Sequence, residues 1–234
     1  MIPKTAIILA GGKGTRLKET IPGLAKVLAP VNGKPFLDYI LKYFMAAGIE
    51  RFIFSLGFHY EQVTVFLEEE YSKLSHTIIV EYAPLGTGGA IKKAMEHSGE
   101  NTLAVINGDT LFKVKLNSMS AFHHMCGAEC TIALKSMTSF DRYGEVTLNR
   151  NYSIASFNEK KQVSEGLING GFYILNKRLF DENIFPEKFS FEEDYLAKKF
   201  KQRRIFGVRQ EGYFIDIGVP EDYQRAQEEF KQER

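Results

Sequence analysis

A loop near the start of the chain combines glycines with cationic and hydroxyl side chains. It reads AGGKGTRL and follows Thr5–Ala10, a short apolar run of β-forming residues. Glycines permit positive φ angles and let backbone N–H groups approach a ligand, while Lys13, Thr15 and Arg16 add positive charge and a hydroxyl donor. This combination suits a chain of phosphates, and we therefore predict that the loop binds a polyphosphate.

Two familiar phosphate-binding motifs do not match this loop. A dinucleotide fingerprint counted from Gly12 needs a glycine where the sequence has Leu17. A P-loop needs a glycine five residues before Gly33, which is absent, and Ser or Thr in place of Pro35. Both motifs fail, and a glycine-rich turn with solvated charges stays open as the alternative.

Two aspartates from distant parts of the chain follow strand-like runs. Asp109 comes just after the run Thr102–Ile106, in NGDT, and Asp216 lies in YFIDIGVPEDY. Mg²⁺ prefers one or two carboxylates together with substrate oxygens. Either aspartate alone would more often belong to a turn, so it is the pair beside a phosphate loop that predicts a Mg²⁺ site. Lys26, on a segment stiffened by prolines, is a further candidate charge.

The composition is that of an ordinary globular protein. The 234 residues are 44% hydrophobic and 25% charged, with 30 basic against 29 acidic side chains. We predict a single domain, residues 1–234, with neither a nucleic-acid nor a membrane partner and a cytoplasmic location. Cys126 and Cys130 have CxxxC spacing, unlike zinc or redox sites, and are predicted to be reduced and packed in or near the core.

Strand-like and helix-like segments alternate along the first half, and the second half is richer in β-strands. This order predicts an α/β fold with a Rossmann-like, mostly parallel sheet flanked by helices, in which ligands bind beyond the carboxyl ends of the strands. The predicted strands are Thr5–Ala10, Arg51–Leu56, Thr77–Tyr82, Thr102–Ile106, Glu129–Lys135, Glu145–Leu148, Ile154–Phe157 and Gly171–Leu175. The predicted helices are Phe36–Ala47, Glu61–Glu70, Gly86–His97, Leu116–Cys126, Phe191–Phe200 after Ser190 as N-cap, and Glu221–Lys231 after Pro220.

Eight segments occur in the order seen in one enzyme family. They are ILAGGKGTRL, APVNGKPFLDY, PLGTGGAI, NGDT, YGEV, FNEKK, NGGFYIL and FIDIGVPEDY. Over nearly its whole length the chain resembles the sugar-1-phosphate nucleotidyltransferases. Its compact length and the segments PLGTGGAIKKA and FSFEEDYL are most similar to the branch that transfers GMP to D-glycero-α-D-manno-heptose 1-phosphate.

This resemblance implies a nucleoside triphosphate and a sugar 1-phosphate as substrates, with Mg²⁺ as cofactor. It implies catalytic roles for Arg16, Lys26 and Asp109, and metal ligation by Asp109 and Asp216. The implied nucleotide-binding residues are Leu9, Gly11, Gly12, Gly14, Thr15, Arg16, Glu81, Gly86, Thr87, Gly88 and Asp109. The implied sugar-phosphate residues are Gly144, Glu159, Lys160, Asn169 and Asp216.

The chain departs from the family pattern at two places. Ala25 stands where most relatives have a proline before the lysine, which predicts a looser backbone at Lys26. The segment EKK lacks the proline that many relatives carry after Glu-Lys.

The nucleobase and the sugar are less constrained by the sequence. Glu81, at the end of the predicted strand Thr77–Tyr82, is our candidate guanine reader, because a carboxylate accepts hydrogen bonds from both guanine N1–H and its amino group; a solvated glutamate is the alternative. Uridylyl or thymidylyl transfer to a hexose or amino-sugar 1-phosphate, including N-acetylmuramate 1-phosphate, and guanylyl transfer to mannose 1-phosphate stay open. So do a non-catalytic sensor and assembly into a homo-oligomer.

Four further side chains carry expectations of their own. His123 and His124 lie on a predicted helix without companion ligands and are expected at the surface or its boundary. Tyr143 or Tyr173, near the implied sugar pocket, is a candidate to stack on a sugar ring.

Overall fold

In the computed structural model, which describes residues 2–12, 14–17, 19–158, 162–180 and 185–231, most strands join one nine-stranded sheet. The strands are β1 (Thr5–Ala10), β2 (Pro30–Val31), β3 (Lys34–Pro35), β4 (Arg51–Leu56), β5 (Ser75–Val80), β6 (Thr102–Asn107), β7 (Thr110–Phe112), β8 (Cys130–Phe140), β9 (Glu145–Leu148), β10 (Ile154–Phe157), β11 (Val163–Asn176), β12 (Ile205–Arg209) and β13 (Phe214–Asp216). The helices are α1 (Phe36–Ala46), α2 (Tyr60–Glu70), α3 (Gly86–Glu96), α4 (Leu116–Met125), α5 (Ala197–Lys199) and α6 (Pro220–Glu229).

The sheet has a parallel half and a mixed half. Its order is β10-β9-β11-β6-β1-β4-β5, and β8 pairs with β11 and β12. Strands β6, β1, β4 and β5 are parallel, whereas β11 runs antiparallel to β6. The predicted fold class, a largely parallel sheet flanked by helices with a β-rich second half, is confirmed.

The core fills both faces of this sheet. One cluster of buried side chains packs α1 against one face, with Phe44 stacked on Phe172 at 5.4 Å between ring centroids. The other cluster packs α3 against the opposite face and contains Ile91 and Tyr173. Burial on both sides explains why β1 reads as a nearly continuous apolar run.

Several strand boundaries differ from the sequence-based prediction. The third predicted strand runs over Ser75–Val80, which leaves Glu81 beyond its end. Strand β11 has 14 residues, because the part before Gly171 pairs with β8 and β9, and its register shifts between Asn169 and Tyr173. The glycines at this shift hide the continuity of the strand in the sequence.

The helix ends follow the predicted capping signals. Ser190 Oγ accepts the Glu193 N–H at 3.1 Å, as an N-cap should. The helix that follows begins as a π-helical segment, Phe191–Leu196, and only its last turn, α5, is α-helical. Pro220 occupies the first turn of α6, as predicted.

The helix α6 fastens a distant segment near the start of the chain. Tyr223 donates its hydroxyl to the Pro30 carbonyl oxygen at 2.6 Å. The Asn32 N–H donates to Gln227 Oε1 at 2.8 Å, and Asn32 Nδ2 donates to the Phe230 carbonyl oxygen at 3.1 Å. These bonds hold the backbone that follows Lys26.

The two cysteines are free thiols, Cys130 buried and Cys126 half-buried, as predicted. Across the described ranges, no helix has the length and apolar character needed to span a bilayer.

The expected position of His123 at the surface or its boundary is wrong. Its side chain is buried, Nδ1 lies 2.9 Å from Thr131 Oγ1, and Nε2 has no hydrogen-bond partner among the described residues. Burial, with a smaller contribution from His124, lowers the pKa of His123 to about 4. The spacing of apolar residues on α4 did not show that His123 lies on the buried face of the helix.

We expect His123 to make the protein less stable in mild acid. Its pKa falls from 6.5 in the unfolded chain to about 4 in the folded one, so the unfolded chain binds the proton first. Lowering the pH from above 6.5 to below 4 should therefore cost about 3 kcal/mol of unfolding free energy. Urea unfolding at pH values between 7.5 and 4 measures this loss.

His123→Gln should remove that part of the pH dependence, whereas His97→Gln, at an exposed position just after α3, should not. Equal pH dependence in the wild type and His123→Gln would contradict the assignment.

Candidate functional site

A cleft of about 380 Å³ opens at the carboxyl ends of the parallel strands. Loops after β1, β5 and β6 form its walls, as expected for an open parallel sheet. Its lining includes Leu9, Gly11, Gly12, Gly14, Thr15, Arg16, Lys26, Glu81, Gly86, Thr87, Asn107, Asp109 and Gly218. Most of the predicted nucleotide-binding residues are thus brought together in one concave surface.

The glycine-rich loop is anchored by a short 3₁₀ turn, Thr15–Leu17. Leu17 is buried and its N–H donates to the Gly14 carbonyl oxygen at 3.0 Å. Arg16, the residue before this anchor, is exposed and lines the cleft. Lys13 lies outside the described residues.

Lys26 and Asp109 form the central ion pair of the cleft. Lys26 Nζ lies 2.5 Å from Asp109 Oδ2, with 13% and 32% of the two side chains exposed. Ala25, just before the lysine, has a φ of −61°, an angle that proline also adopts. Its N–H donates to Gln62 Oε1 at 2.8 Å, a bond that proline could not make. The predicted looser backbone is therefore not observed.

The pairing of β13 with β7 brings Asp216 to this ion pair. Asp216 lies opposite Thr110, and the next N–H, that of Ile217, donates to the Asp109 carbonyl oxygen at 2.9 Å. Asp216 Oδ1 accepts the Gly218 N–H at 2.7 Å, and Oδ2 accepts the Tyr143 hydroxyl at 3.2 Å. The expected proximity of the two aspartates is observed, although Asp216, unlike Asp109, is not among the residues that line the cleft.

Asp109 and Asp216 share one lysine and are short of positive charge, because Arg142, which also interacts with Asp216, is paired with Asp222. Burial, and then the negative charge of Asp109, raise the pKa of Asp216, while Lys26 opposes the shift. A cation placed here would offset the electrostatic cost of keeping both carboxylates ionised. No group of three or more His, Cys, Asp or Glu side chains suited to a metal occurs in the part of the chain that the structure describes. Two carboxylates completed by phosphate oxygens match the preference of Mg²⁺.

Glu81 is held in place at the other end of the cleft. Its Oε1 accepts the Ser55 hydroxyl at 2.8 Å, and its Oε2 accepts the Leu85 N–H at 3.1 Å. A Cβ on Gly11 would lie 2.7 Å from Oε1, so the glycine lets the loop pass against the carboxylate. Each carboxylate oxygen accepts more than one hydrogen bond, and Glu81 therefore keeps capacity for a ligand.

The start of α3 packs against a segment of the second half. The Gly88 N–H donates to the Phe189 carbonyl oxygen at 3.0 Å, and a Cβ at Gly88 would clash with the Phe189 ring. Gly88 is not among the residues that line the cleft, unlike its predicted companions Gly86 and Thr87. Its contact is with Phe189, on the side of α3 that packs against the second half of the chain.

A chain of hydrogen bonds joins this loop to the predicted sugar-binding strand β11. Thr87 donates its hydroxyl to Glu192 Oε2 at 2.5 Å, and Tyr173 donates to Glu192 Oε1 at 3.3 Å. Asn169 Nδ2 in turn donates to the Tyr173 hydroxyl at 2.8 Å. Tyr173 is fully buried, so the idea that it stacks on a sugar ring is wrong.

The remaining predicted sugar-phosphate residues are only partly located. Asn169 lies where the register of β11 shifts, and Gly144 immediately precedes β9, close to the Asn158 carbonyl oxygen. Neither is part of the cleft lining. Glu159 and Lys160 lie outside the described residues.

Sequence reasoning missed three contributors. Ser55 positions Glu81, Glu192 ties the two halves together, and Asn107 lines the cleft. Asn107 and Glu192 are inside segments already singled out, NGDT and FSFEEDYL, but their contacts depend on tertiary structure.

The chain matches the family model described as "Nucleotidyl transferase" over residues 5–233. The chain belongs to the nucleotidyl transferase family. A nucleotidyl transferase transfers a nucleotidyl group, which agrees with a cleft that joins a glycine-rich loop to a lysine and two aspartates.

Two similar nucleotidyl transferases carry more specific names. D-glycero-alpha-D-manno-heptose 1-phosphate guanylyltransferase of Aneurinibacillus thermoaerophilus is 46% identical over 226 residues, 97% of this chain and 98% of that protein. The enzyme of the same name from Campylobacter jejuni is 41% identical over 93% of this chain and 96% of its own.

A solved structure extends the similarity to three dimensions. HddC from Yersinia pseudotuberculosis, complexed with GMP-PN, superimposes with a TM-score of 0.88 and 34% sequence identity, covering 98% of this chain and all of that one. This nucleotidyl transferase therefore shares the whole fold of a protein that binds a guanine nucleotide analogue.

We expect Glu192→Gln to weaken the hydrogen bonds that join the start of α3 to β11 and so to destabilise the protein. Glu192 accepts hydroxyl hydrogens from Thr87 and Ser190 at Oε2 and from Tyr173 at Oε1, and glutamine keeps only one acceptor oxygen, so the hydrogen bonds at the other position are lost. Unfolding free energy measured in urea should fall by about 2 kcal/mol. Glu193→Gln, at the exposed neighbouring position, should change it by less than about 0.5 kcal/mol. Equal values for the two variants would contradict this role.

Proposed function

We propose that the protein transfers GMP from GTP to D-glycero-α-D-manno-heptose 1-phosphate, which releases pyrophosphate and forms a GDP-heptose. The names of the two relatives with more than 40% identity support this choice of substrates. The observation that carries the proposal is the convergence of Lys26, Asp109 and Asp216 beside the glycine-rich loop. We treat the whole chain as one catalytic unit; a cytoplasmic location and a homo-oligomer stay predictions.

The reaction needs positioning more than acid–base chemistry. An anomeric phosphate oxygen of the sugar attacks the α-phosphorus of GTP in line, and the bond from that phosphorus to the bridging oxygen of pyrophosphate breaks. The attacking phosphate is already ionised at neutral pH, so no strong base is required. The protein must hold two anions together and stabilise the charge that accumulates.

The side chains of the cleft suit this task. Lys26 is largely shielded from solvent and pairs with Asp109. When substrates bind, their phosphates would compete with Asp109 for the Lys26 ammonium group. Arg16, exposed at the mouth of the loop, would contact the phosphates that leave as pyrophosphate. Gly144, Asn169, Glu159 and Lys160 are the proposed sugar-phosphate residues.

We assign Mg²⁺ to Asp109 and Asp216. Their carboxylates are short of compensating charge, as the raised pKa of Asp216 indicates, and their number fits an ion completed by phosphate oxygens. When bound, Mg²⁺ would neutralise part of the phosphate charge.

The experiment that tests this function is pyrophosphate release with Mg²⁺ across the four common nucleoside triphosphates. Each would be paired with heptose, mannose, glucose, N-acetylglucosamine and N-acetylmuramate 1-phosphates. The highest turnover with GTP and the heptose phosphate is expected. A preference for another pair would support the proposed reaction and contradict the proposed substrates. No turnover with any pair would favour a non-catalytic sensor.

We predict that Lys26→Ala and Asp109→Asn each lower turnover by about 10²- to 10³-fold without unfolding the protein, since each removes a group aimed at the reacting charges. Lys42→Ala is the matched control, because Lys42 lies outside the cleft and pairs with Asp38. Circular dichroism would verify folding. Near-normal turnover in either cleft variant would contradict the assigned roles.

Glu81 is the proposed guanine reader. Glu81 lines the cleft, and hydrogen bonds from the Ser55 hydroxyl and the Leu85 N–H fix its orientation. Its two oxygens are therefore held in place as hydrogen-bond acceptors. Guanine offers two adjacent donors to such a carboxylate, whereas uracil offers one. A fixed acceptor therefore discriminates in favour of guanine.

Glu81→Gln should lower kcat/KM for GTP by about tenfold or more while affecting UTP less, because an amide N–H would face the guanine donors. The ratio of the two kcat/KM values is the measurement. Glu61→Gln, an exposed neighbour in α2, serves as control. An unchanged ratio in Glu81→Gln would exclude it as the reader.

A further inference from the structure

The side chain of Gln62 joins two backbone groups just ahead of Lys26. Its Oε1 accepts the Ala25 N–H at 2.8 Å, and its Nε2 donates to the Gly23 carbonyl oxygen at 2.8 Å. A backbone N–H can only donate and a carbonyl oxygen can only accept, so these two bonds fix which end of the amide faces which partner. Gln62 therefore holds residues 23–25 from one defined side.

The helix behind this amide is seated on the core. Gln62 lies in the first turn of α2, and the next residue, Val63, is buried against one face of the sheet. The segment that Gln62 holds is irregular: Gly23 has a φ of +72°, and Ala25, the residue before the 3₁₀ turn Lys26–Leu28, brings no side-chain cap to that turn. Helix α2 thus serves as the fixed body to which this irregular backbone is tied.

The position of the Lys26 ammonium group depends on that backbone, because a lysine side chain is long and flexible. Its Nζ lies 2.5 Å from Asp109 Oδ2. A Cβ on Gly14 would lie 3.2 Å from Lys26 Cβ, and a Cβ on Gly218 would lie 3.2 Å from Nζ. Both ends of the side chain therefore fit closely against glycines, and the ammonium group reaches the cleft only when the backbone at Lys26 is correctly placed.

The backbone angles of Ala25 show what the amide replaces. Its φ of −61° and ψ of 129° are angles that proline also adopts, and a proline ring would fix φ without needing an acceptor. The ring would also occupy the place of the N–H hydrogen that Gln62 accepts. This backbone can therefore be held by a proline, or by an alanine together with the Gln62 amide, but not by both.

We propose that Gln62 is a positioning residue for Lys26: its amide holds residues 23–25 so that the Lys26 ammonium group meets the reacting phosphates. This inference rests on the proposed function, which gives Lys26 its role. A purely structural glutamine would contribute to stability and leave turnover unchanged.

Gln62→Ala should lower kcat by about tenfold or more with the substrate pair that turns over fastest, because small displacements of a catalytic group are costly. KM for the nucleoside triphosphate should change by less than about threefold, since Lys26 acts on the charge that accumulates during the reaction. Gln62→Met, of similar length and without an amide, is a second variant with the same expected result. Gln224→Ala, at an exposed position on α6, is the matched control.

Adding Ala25→Pro to Gln62→Ala is the decisive step. The double variant should recover kcat to within about threefold of the wild type, because proline supplies the backbone constraint that the amide provided. Such recovery of turnover by a second substitution is expected only if the two residues act on the same backbone segment.

The reactivity of Lys26 gives a readout that does not need turnover. Each lysine would be acylated with acetic anhydride and its rate of modification followed by peptide mass spectrometry. Lys26 should react several-fold faster in Gln62→Ala than in the wild type, because an amine that is shielded and paired with a carboxylate reacts slowly. Lys42, which pairs with Asp38 outside the cleft, should react equally in both proteins.

A kcat within about twofold of the wild type in both Gln62 variants would overturn the inference. So would unchanged acylation of Lys26, or a loss of turnover that Ala25→Pro does not recover. No turnover by the wild type with any substrate pair would refute the proposed function, and faster acylation of Lys26 in Gln62→Ala would then still support its positioning by Gln62.

Discussion

The site depends on one short antiparallel pairing, that of β13 with β7. This pairing carries Asp216 to the end of β6, where Asp109 and Lys26 already meet. Two carboxylates do not approach each other by attraction, so the backbone hydrogen bonds and the apolar residues around them must hold the pair. Leu111, Phe112 and Ile215 are nearly completely buried, and their packing offsets the electrostatic cost.

The same charge arrangement shapes the rest of the cleft. Tyr143 and the Gly218 N–H both donate to Asp216, and neither can neutralise it. Lys26 pairs with Asp109, and Arg142, which interacts electrostatically with Asp216, is itself paired with Asp222. Gln62 fixes the backbone before Lys26. The protein thus maintains an excess of negative charge beside a loop suited to phosphates, an arrangement that becomes favourable when cations and phosphates enter together.

Much of this architecture follows from the sequence. The boundaries of β1, β4, β9 and β10 agree with prediction, because apolar or alternating runs with clear ends correspond to strands. The long strand β11 was only partly predicted, since the double glycine that shifts its register reads as a turn.

Contacts between distant residues set the limit of prediction. The aspartate pair was accessible because both residues follow strand-like runs, and strand ends share one edge of a sheet. The roles of Glu192 and Ser55 could not be predicted, because nothing in the local sequence distinguishes a side chain that forms a tertiary hydrogen bond from one in solvent. His123 was misplaced although its partner Thr131, on β8, is only eight positions away, because the sequence of α4 does not show which of its faces packs against the sheet.

The attachment of α6 to Pro30 also bears on how the enzyme is made. Tyr223 and the proline whose carbonyl it bonds are separated by 193 positions, and Asp216 belongs to the same late stretch of sequence. On the ribosome, the glycine-rich loop and Lys26 emerge long before the residues that complete and fasten their surroundings. Partly synthesised chains therefore carry the glycine-rich loop and Lys26 before Asp216 and the bonds from α6 are available to complete their surroundings.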